Sequence, residues 1–198
     1  EAFMGNYADL VAQADCVTIS GSLPKGVPAD CYANMVKVAR DAGKPVLLDT
    51  SGAALDASLA AATKPTLIKP NLTEVNGLLS ASFTPDDLPA LRQALENDAR
   101  FTGIPWVVVT MGAAGAVAFH EGTTWRVTAP RIECVNATGS GDSTIAGFAH
   151  AIAAGAGPAE VLRCGNTCGT LNAMDPRTGH LVMEQWDAVY GAVEVVEL

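Results

Sequence analysis

The sequence predicts an α/β fold with a mostly parallel central sheet. Over the first 110 residues, short apolar runs rich in β-branched side chains alternate with segments of helical periodicity. The runs are apolar throughout, as expected of strands that are covered on both faces. Alternation of this kind is typical of parallel strands joined by crossover helices. We therefore expect a single α/β domain over residues 1–198.

The elements of the first half follow each other regularly. The predicted strands are residues 16–20, 45–49, 66–69 and 106–110. The predicted helices are residues 28–42, 53–62, 73–79 and 85–97. The first helix has Pro28 at its start and Gly43 after its end. Its apolar positions Tyr32, Met35, Val36 and Ala39 have helical spacing.

The pattern changes after Thr110. Residues 115–120 and 124–127 are predicted to form an antiparallel hairpin joined by residues 121–123. Residues 131–135 have the composition of a further strand. Two or three helices are predicted to close the chain, over residues 141–154, 158–172 and 183–190.

Composition excludes several classes of function. The net charge of −9 argues against a nucleic-acid or anionic-membrane surface, and no apolar run approaches the length of a membrane span. The five cysteines form no C-x-x-C pair, so we expect buried free thiols in a reducing, cytoplasmic environment. His120, His150 and His180 are scattered, and we interpret them as structural.

The segment Asn136-Ala-Thr-Gly-Ser-Gly-Asp142-Ser143 carries most of the functional information. Glycines at a helix start allow a sharp turn, and the helix N-terminus then forms an anion site. An aspartate beside such a site could take a proton from an attacking hydroxyl, as phosphoryl transfer to an alcohol requires. Alternatively, the segment is an ordinary turn in which Asp142 compensates the helix dipole.

Polar loops follow the four predicted strands, at residues 21–26, 49–52, 69–74 and 110–115. Ligands of parallel α/β sheets bind outside the carboxyl ends of the strands, so we expect these loops to contribute to one site.

Three of these loops have two interpretations each. Asn71 and Glu74 have capping-box spacing, or could hold the waters of a hydrated Mg²⁺. The glycines of residues 110–115 turn the chain into the hairpin, or allow a nucleotide to approach the backbone. The loop with Ser22 and Lys25 offers a hydroxyl and a cation, or is a solvated turn.

The ordered set of segments resembles the ribokinase-like (PfkB) carbohydrate kinases over nearly the whole chain. The family signature D-T-x-G-[AG]-G-D is similar to residues 136–142, with Asn136 in place of the first aspartate. Lys69-Pro-Asn71-x-x-Glu74 is similar to the N-x-x-E motif, and Thr110-x-Gly112-x-x-Gly115 to the nucleotide segment. Residues 20–26 and 135–144 look most like the tagatose-6-phosphate kinase and 1-phosphofructokinase branch.

The resemblance implies ATP-dependent phosphoryl transfer to a ketohexose phosphate on a three-layer α/β/α sandwich. Asp142 would be the base, and Gly139, Ser140 and Gly141 the anion hole. The implied nucleotide residues are Lys69, Thr110, Gly112 and Gly115, with the segment around Asn172 near the adenine. Asn71 and Glu74 would support Mg²⁺ through water, and Ser22 and Lys25 would face the sugar phosphate. A monovalent cation such as K⁺ sits behind the anion hole in related members, near Asn136 and Thr138 here.

The family pattern also contains an N-terminal portion with a sugar-binding glycine motif, the first strands and a lid. The chain starts Glu1-Ala2-Phe3-Met4 and shows no counterpart, so we expect it to correspond to the remainder of such a protein. A homodimer of the full-length protein is a further expectation. The alternatives are a kinase for an unphosphorylated sugar or nucleoside, and a non-catalytic nucleotide-binding fragment. A Rossmann dehydrogenase is disfavoured because G-x-G occurs late and outside a G-x-G-x-x-G context.

Overall fold

The computed structural model describes residues 2–198, which form two compact units. The first unit extends to Val108 and the second is Val109–Leu198. The single domain that we expect from the sequence stays a prediction.

Parallel strands form the centre of the first unit. They are β1 (Val17–Ser20), β2 (Val46–Asp49), β3 (Leu67–Ile68) and β4 (Trp106–Thr110), the last of which ends in the second unit. Val17 pairs with Val46, Leu47 with Leu67, and Leu67 with Trp106, always in parallel. Their side chains are largely buried, as the continuous apolar runs predict. The parallel arrangement is therefore confirmed, although β3 has only 2 residues.

The helices of the first unit are α1 (Ala2–Gln13), α2 (Cys31–Asp41), α3 (Gly52–Ala60), α4 (Leu72–Leu79) and α5 (Leu88–Asn97). Helix α2 begins three residues later than predicted, because the backbone N–H groups of Val27 and Cys31 close turns onto Pro24 and Pro28. Its buried face consists of Ala33, Val36 and Ala39, whereas Tyr32 and Met35 are half-buried. The predicted stripe is therefore only partly correct.

Antiparallel strands dominate the start of the second unit. They are β5 (Ala116–His120), β6 (Thr123–Thr128) and β7 (Glu194–Glu197). His120 pairs with Thr123, so the hairpin turn consists of Glu121 and Gly122, one residue shorter than predicted. Both have positive φ, 48° and 81°, which is the geometry of a type I′ turn. The hairpin is confirmed, and β7 is an addition that the sequence did not predict.

The helices of the second unit are α6 (Ser140–Ala153), α7 (Pro158–Ala173) and α8 (Trp186–Ala192), the last preceded by the 3₁₀ turn Met183–Gln185. Helices α6 and α7 pack closely through glycines. A Cβ at Gly147 would lie 2.8 Å from the Cα of Gly165, and one at Gly169 would lie 2.2 Å from Thr144 Oγ1. This contact fixes the end of α7 against the start of α6.

The predicted strand at residues 131–135 is wrong, because this segment is irregular. The N–H groups of Val135 and Asn136 both donate to the carbonyl of Ala173, at 2.8 and 3.1 Å. The backbone donors at the end of this segment therefore bind the end of α7 instead of a neighbouring strand.

All five cysteines lie in the described part of the chain and are free. Cys164 and Cys168 are buried one turn apart on α7, and a hydrogen bond with the Cys164 thiol, together with burial, raises the pKa of Cys168. Cys134 is exposed, so the prediction of buried thiols is wrong for this residue.

Within residues 2–198, the helices are too short or too polar to cross a membrane.

Candidate functional site

The glycine turn opens helix α6. Gly139 is its N-cap residue, with φ 84°, a backbone conformation that other residues rarely adopt. The N–H of Ser140 donates to the carbonyl of Ala137, and the N–H of Ser143 makes a helical bond to Gly139. The N–H groups of Gly141 and Asp142 lie between these two bonds in the first turn of α6, where backbone donors point toward the N-terminus of a helix. This arrangement is the donor set of an anion site at a helix N-terminus.

Asp142 lies in the first turn of α6, and its side chain is exposed. A carboxylate at this position stabilises the helix dipole. Its exposure and its place beside the turn also leave it accessible to a bound alcohol. Both interpretations of Asp142 are thus compatible with the geometry.

The side chain of Asn172 connects the two ends of the turn. It has 0% exposure, and its amide donates to the carbonyl of Thr138 and to Ser140 Oγ, both at 3.0 Å. Its Oδ1 accepts from the N–H of Gly179 at 2.7 Å. The structure therefore brings Asn172 together with the predicted anion hole, inside the protein rather than on its surface.

A second loop, residues 174–180, lies against the glycine turn. Asn136 donates from Nδ2 to the carbonyl of Pro176 at 3.1 Å, and its Oδ1 accepts from the N–H of Thr138 at 2.9 Å. A Cβ at Gly139 would lie 2.7 Å from Thr178 Cγ2. Asn136 and Thr138 thus both belong to this cluster, as their place in the motif predicts. The oxygens that a monovalent cation could use here are backbone carbonyls and Asn136 Oδ1, since an amide oxygen has two acceptor positions.

Asp175 stabilises the second loop. Its carboxylate accepts from Arg177 Nε at 3.0 Å and lies 3.1 Å from His180 Nδ1. The hydrogen bonds from Arg177, with a smaller effect of His180, hold the pKa of Asp175 well below its usual value. Asp175 is therefore ionised across the neutral range and anchors the loop.

The predicted nucleotide segment forms a tight turn after β4. Gly112 has φ 56° and Gly115 has φ 81°, and a Cβ at Gly115 would lie 2.0 Å from the carbonyl oxygen of Val127. Arg126 donates from Nη2 to the carbonyl of Ala114 at 2.8 Å. Thr110, at the end of β4, is half-buried. Packing therefore requires a glycine at position 115, whether or not a nucleotide binds there, whereas a Cβ at Gly112 would meet nothing within 4 Å.

The carboxyl ends of β1, β2 and β3 meet in the first unit. Lys69 Nζ lies 3.0 Å from Asp49 Oδ2, with the lysine side chain only 6% exposed. Thr50 Oγ1 donates to the carbonyl of Gly21 at 2.8 Å, and the N–H of Gly21 donates to the carbonyl of Asp49. The Lys69 ammonium is therefore paired next to the loop that carries Ser22 and Lys25. The side chains of Ser22 and Lys25 are themselves exposed.

Asn71 and Glu74 form a capping box at the start of α4. Asn71 Oδ1 accepts from the N–H of Glu74 at 2.9 Å, and Glu74 Oε2 accepts from the N–H of Asn71 at 2.8 Å. Among the residues described, no cluster of three or more His, Cys, Asp or Glu side chains could hold a metal ion directly. The donor set fits Mg²⁺ held largely by waters and phosphate oxygens, with Glu74 contributing through water.

Sequence reasoning did not single out Arg126 and Asp175, nor the pairing of Asp49 with Lys69. Asp49 ends an apolar strand, which could have identified it. Arg126 binds a loop through the carbonyl of Ala114, and Asp175 binds the guanidinium of Arg177. No local sequence pattern identifies such contacts.

Comparison with solved structures shows the fold. Phosphofructokinase-2 from Escherichia coli in complex with potassium aligns with a TM-score of 0.81 and 26% identity, covering 96% of this chain and 62% of that one. The same enzyme with substrates and products gives a TM-score of 0.80 at 25% identity, again covering 96% and 62%. A possible 1-phosphofructokinase from Thermotoga maritima aligns with a TM-score of 0.82 and 20% identity, covering 100% and 61%. The fold is therefore the three-layer α/β sandwich of the ribokinase type, with a mixed sheet.

The chain spans about three fifths of the length of these solved relatives. A sequence profile described as pfkB family carbohydrate kinase matches residues 2–185, which is nearly all of the chain. The chain belongs to the pfkB family of carbohydrate kinases.

Proposed function

We propose that the protein transfers the γ-phosphoryl group of ATP to a hydroxyl of a ketohexose phosphate, of the tagatose-6-phosphate or fructose-1-phosphate type. Family membership supports the reaction class. The resemblance of residues 20–26 and 135–144 to one branch supports a phosphorylated acceptor. Phosphofructokinase-2, which is 25% identical, has been solved with its substrates and products.

The observation that carries the proposal is the helix start at Gly139. This start places the N–H groups of Gly141 and Asp142 in the first turn of α6, together with the exposed carboxylate of Asp142. Phosphoryl transfer depends on positioning and on stabilising the charge of the transferring group. In the proposal, these N–H groups stabilise the phosphoryl oxygens and Asp142 takes the proton of the acceptor hydroxyl.

The other predicted residues have supporting roles in the proposal. Lys69, Thr110, Gly112 and Gly115 bind the nucleotide, and Ser22 and Lys25 bind the sugar phosphate. Glu74 and Asn71 hold Mg²⁺ through water. When bound, Mg²⁺ neutralises charge on the nucleotide phosphates. Backbone oxygens near Asn136 and Thr138 are proposed to hold a monovalent cation, since potassium is bound in the solved phosphofructokinase-2. Self-association of the natural protein is proposed as well.

A coupled assay of ADP release tests the proposal in the natural protein that carries this sequence. Tagatose-6-phosphate, fructose-1-phosphate and fructose-6-phosphate are compared with the unphosphorylated ketohexoses at saturating Mg·ATP. A kcat/KM at least about tenfold higher for a phosphorylated acceptor is expected, since a phosphate adds charge-assisted hydrogen bonds. Preference for an unphosphorylated sugar would favour the alternative kinase, and no turnover with any acceptor would favour a nucleotide-binding module.

The role of Lys25 can be tested separately. Lys25→Ala is expected to raise KM for the sugar phosphate and leave KM for ATP unchanged, because only the acceptor phosphate loses a cation. Lys37→Ala is the matched control, as Lys37 is an exposed lysine on α2 that pairs with Asp41. An equal change in both KM values, or a change in neither, would mean that the loop at residues 21–26 is a solvated turn with no role in sugar-phosphate binding.

A further inference from the structure

The Asn172 amide uses its full hydrogen-bonding capacity inside the second unit. Nδ2 donates to the carbonyl of Thr138 and to Ser140 Oγ, and Oδ1 accepts from the N–H of Gly179 and from Ser143 Oγ, the last at 3.3 Å. Two donors and two acceptor positions are what one carboxamide offers. With 0% exposure, the side chain has no surface left for a ligand.

The partners of this amide surround the turn that would bind the phosphoryl group. Thr138 and Ser140 are the residues on either side of Gly139, and Ser143 lies in the first turn of α6. A Cβ at Gly139 would lie 3.3 Å from Asn172 Oδ1. Asn172 therefore contacts the glycine turn on both sides of Gly139.

We infer that Asn172 is a positioning residue, which holds the Gly139 turn so that its N–H groups and Asp142 meet the transferring phosphoryl group, rather than a ligand of the adenine. This inference rests on the proposed function. It assigns the side chain a different task from the nucleotide contact that the resemblance implied.

Only a group that donates and accepts at once can satisfy this environment. An ionised aspartate accepts from Gly179 but cannot donate, and it would face the carbonyl of Thr138. A protonated aspartate regains one donor. Burial, together with the facing carbonyl, raises the pKa of a carboxyl group in such a place. An Asn172→Asp variant should therefore recover as the pH falls. A general gain of stability at low pH would act in the same direction, and amide exchange of the turn distinguishes the two.

The first experiment compares Asn172→Asp with Asn166→Asp in the natural protein. Asn166 is a matched control, since it lies on the same helix and donates to the carbonyl of Leu162 within that helix at 2.9 Å. At pH 8 the kcat of Asn172→Asp should be about 10- to 100-fold below wild type, as displacement of a reacting group costs up to about 100-fold. The deficit should shrink toward pH 6, whereas Asn166→Asp should follow the wild type. A deficit that does not change with pH, or one shared by both variants, would overturn the inference.

The second experiment needs no turnover. Amide hydrogen exchange of residues 138–142 is measured without substrate in the wild type, Asn172→Asp, Asn166→Asp and Ser140→Ala. Ser140→Ala removes one hydrogen-bond partner of the Asn172 amide, and Ser140 is only half-buried. This variant therefore provides the test if Asn172→Asp does not fold. Exchange should accelerate in Asn172→Asp and, to a smaller extent, in Ser140→Ala, with no acceleration in Asn166→Asp.

The two experiments separate the inference from the proposed function. The natural protein could phosphorylate no sugar phosphate while Asn172→Asp still accelerates amide exchange of the turn. That result would reject the proposed function and support the contact of Asn172 with the turn. An active wild type whose Asn172→Asp variant matches Asn166→Asp in both measurements would reject the positioning role and keep the function.

Discussion

Asp142 is the residue at which the two interpretations of the glycine turn differ most. As a dipole-compensating acid it affects stability, and as the base it affects the chemical step. Asp142→Asn keeps a polar side chain in the first turn of α6 and removes the proton acceptor. We expect kcat in the natural protein to fall about 10²- to 10⁴-fold, with KM for ATP little changed.

Asp187→Asn is the control for this substitution. Asp187 is also an exposed acid in the first turn of a helix, α8, so it tests the effect on the helix dipole by itself. Both variants should lose similar small amounts of stability, and Asp142→Asn alone should lose activity. Near-wild-type kcat in Asp142→Asn would disprove the role of Asp142 as the base.

Asp175 gives the second unit a pH-dependent stability. Its pKa is lowered in the folded protein, first by hydrogen bonds from Arg177 and then by His180. A lowered folded-state pKa stabilises the protein above the unfolded-state pKa of about 4, and this contribution is lost as the pH falls below it. The free energy of unfolding of Asp175→Asn should lie below wild type at pH 7, and the difference should begin to narrow as the pH falls from about 4 toward 3.

Denaturant titrations between pH 3 and pH 7 measure this difference. Asp9→Asn, at an exposed position on α1, is the control and should run parallel to wild type over the whole range. A constant difference between Asp175→Asn and wild type would mean that the carboxylate does not stabilise the loop through its charge.

At the scale of elements, the contact between the glycine turn and residues 174–180 depends on the absence of a side chain at Gly139. Gly139→Ala combines a positive φ with a Cβ placed 2.7 Å from Thr178 Cγ2 and 3.0 Å from the N–H nitrogen of Gly179. Gly155, at the end of α6, also has positive φ, 70°, but its Cβ would meet nothing within 4 Å. The pair therefore separates backbone strain from steric overlap.

We expect Gly155→Ala to cost about 1 kcal/mol of unfolding free energy and Gly139→Ala about 1–3 kcal/mol more. Urea titrations monitored by circular dichroism provide both values, provided that the slopes agree. An equal loss of unfolding free energy in both variants would show that residues 174–180 can move to accommodate a side chain at position 139.

The sequence predicted those elements whose determinants are local. The capping box at Asn71 and Glu74 requires two residues three positions apart, and the structure forms it as predicted. Strand β4 is a run of apolar residues and is also confirmed. Residues 131–135 are strand-like in composition, but their backbone is bound by Ala173, which is far away in the chain. Helix α1 was not predicted, although Met4, Tyr7 and Val11 have helical spacing; among its side chains Val11 alone is buried.

The same distinction applies to the candidate site in the whole molecule. Gly139, Gly141 and Asp142 are neighbours in sequence, so a motif could identify them. The bonds of Asn172 to Thr138 and Ser140 span 34 and 32 positions, and no short pattern encodes them. The pairing of Lys69 with Asp49 likewise joins the ends of two adjacent strands. Local motifs are therefore enough to propose the chemistry of the site, whereas no local pattern encodes the contacts that hold its residues in place.

The whole chain provides the last prediction. The glycine turn and the loop from Thr110 to Gly115 lie in the second unit, and both depend on contacts within that unit. The solved relatives are longer, and this chain covers 61–62% of them. We therefore expect the 198-residue polypeptide to bind Mg·ATP weakly and to show no sugar-dependent turnover. Completion of a phosphoryl-transfer site usually requires closure that excludes water.

Titration calorimetry with Mg·ATP and a coupled assay over ketohexose phosphates test the two halves of this prediction on the same preparation. Gly139→Ala serves as the control, because a side chain at this position should weaken nucleotide binding. Robust turnover by the 198-residue chain would show that these residues are sufficient for catalysis. Absence of binding at millimolar Mg·ATP would show that the loops of the second unit, although packed in place, do not form a nucleotide site by themselves.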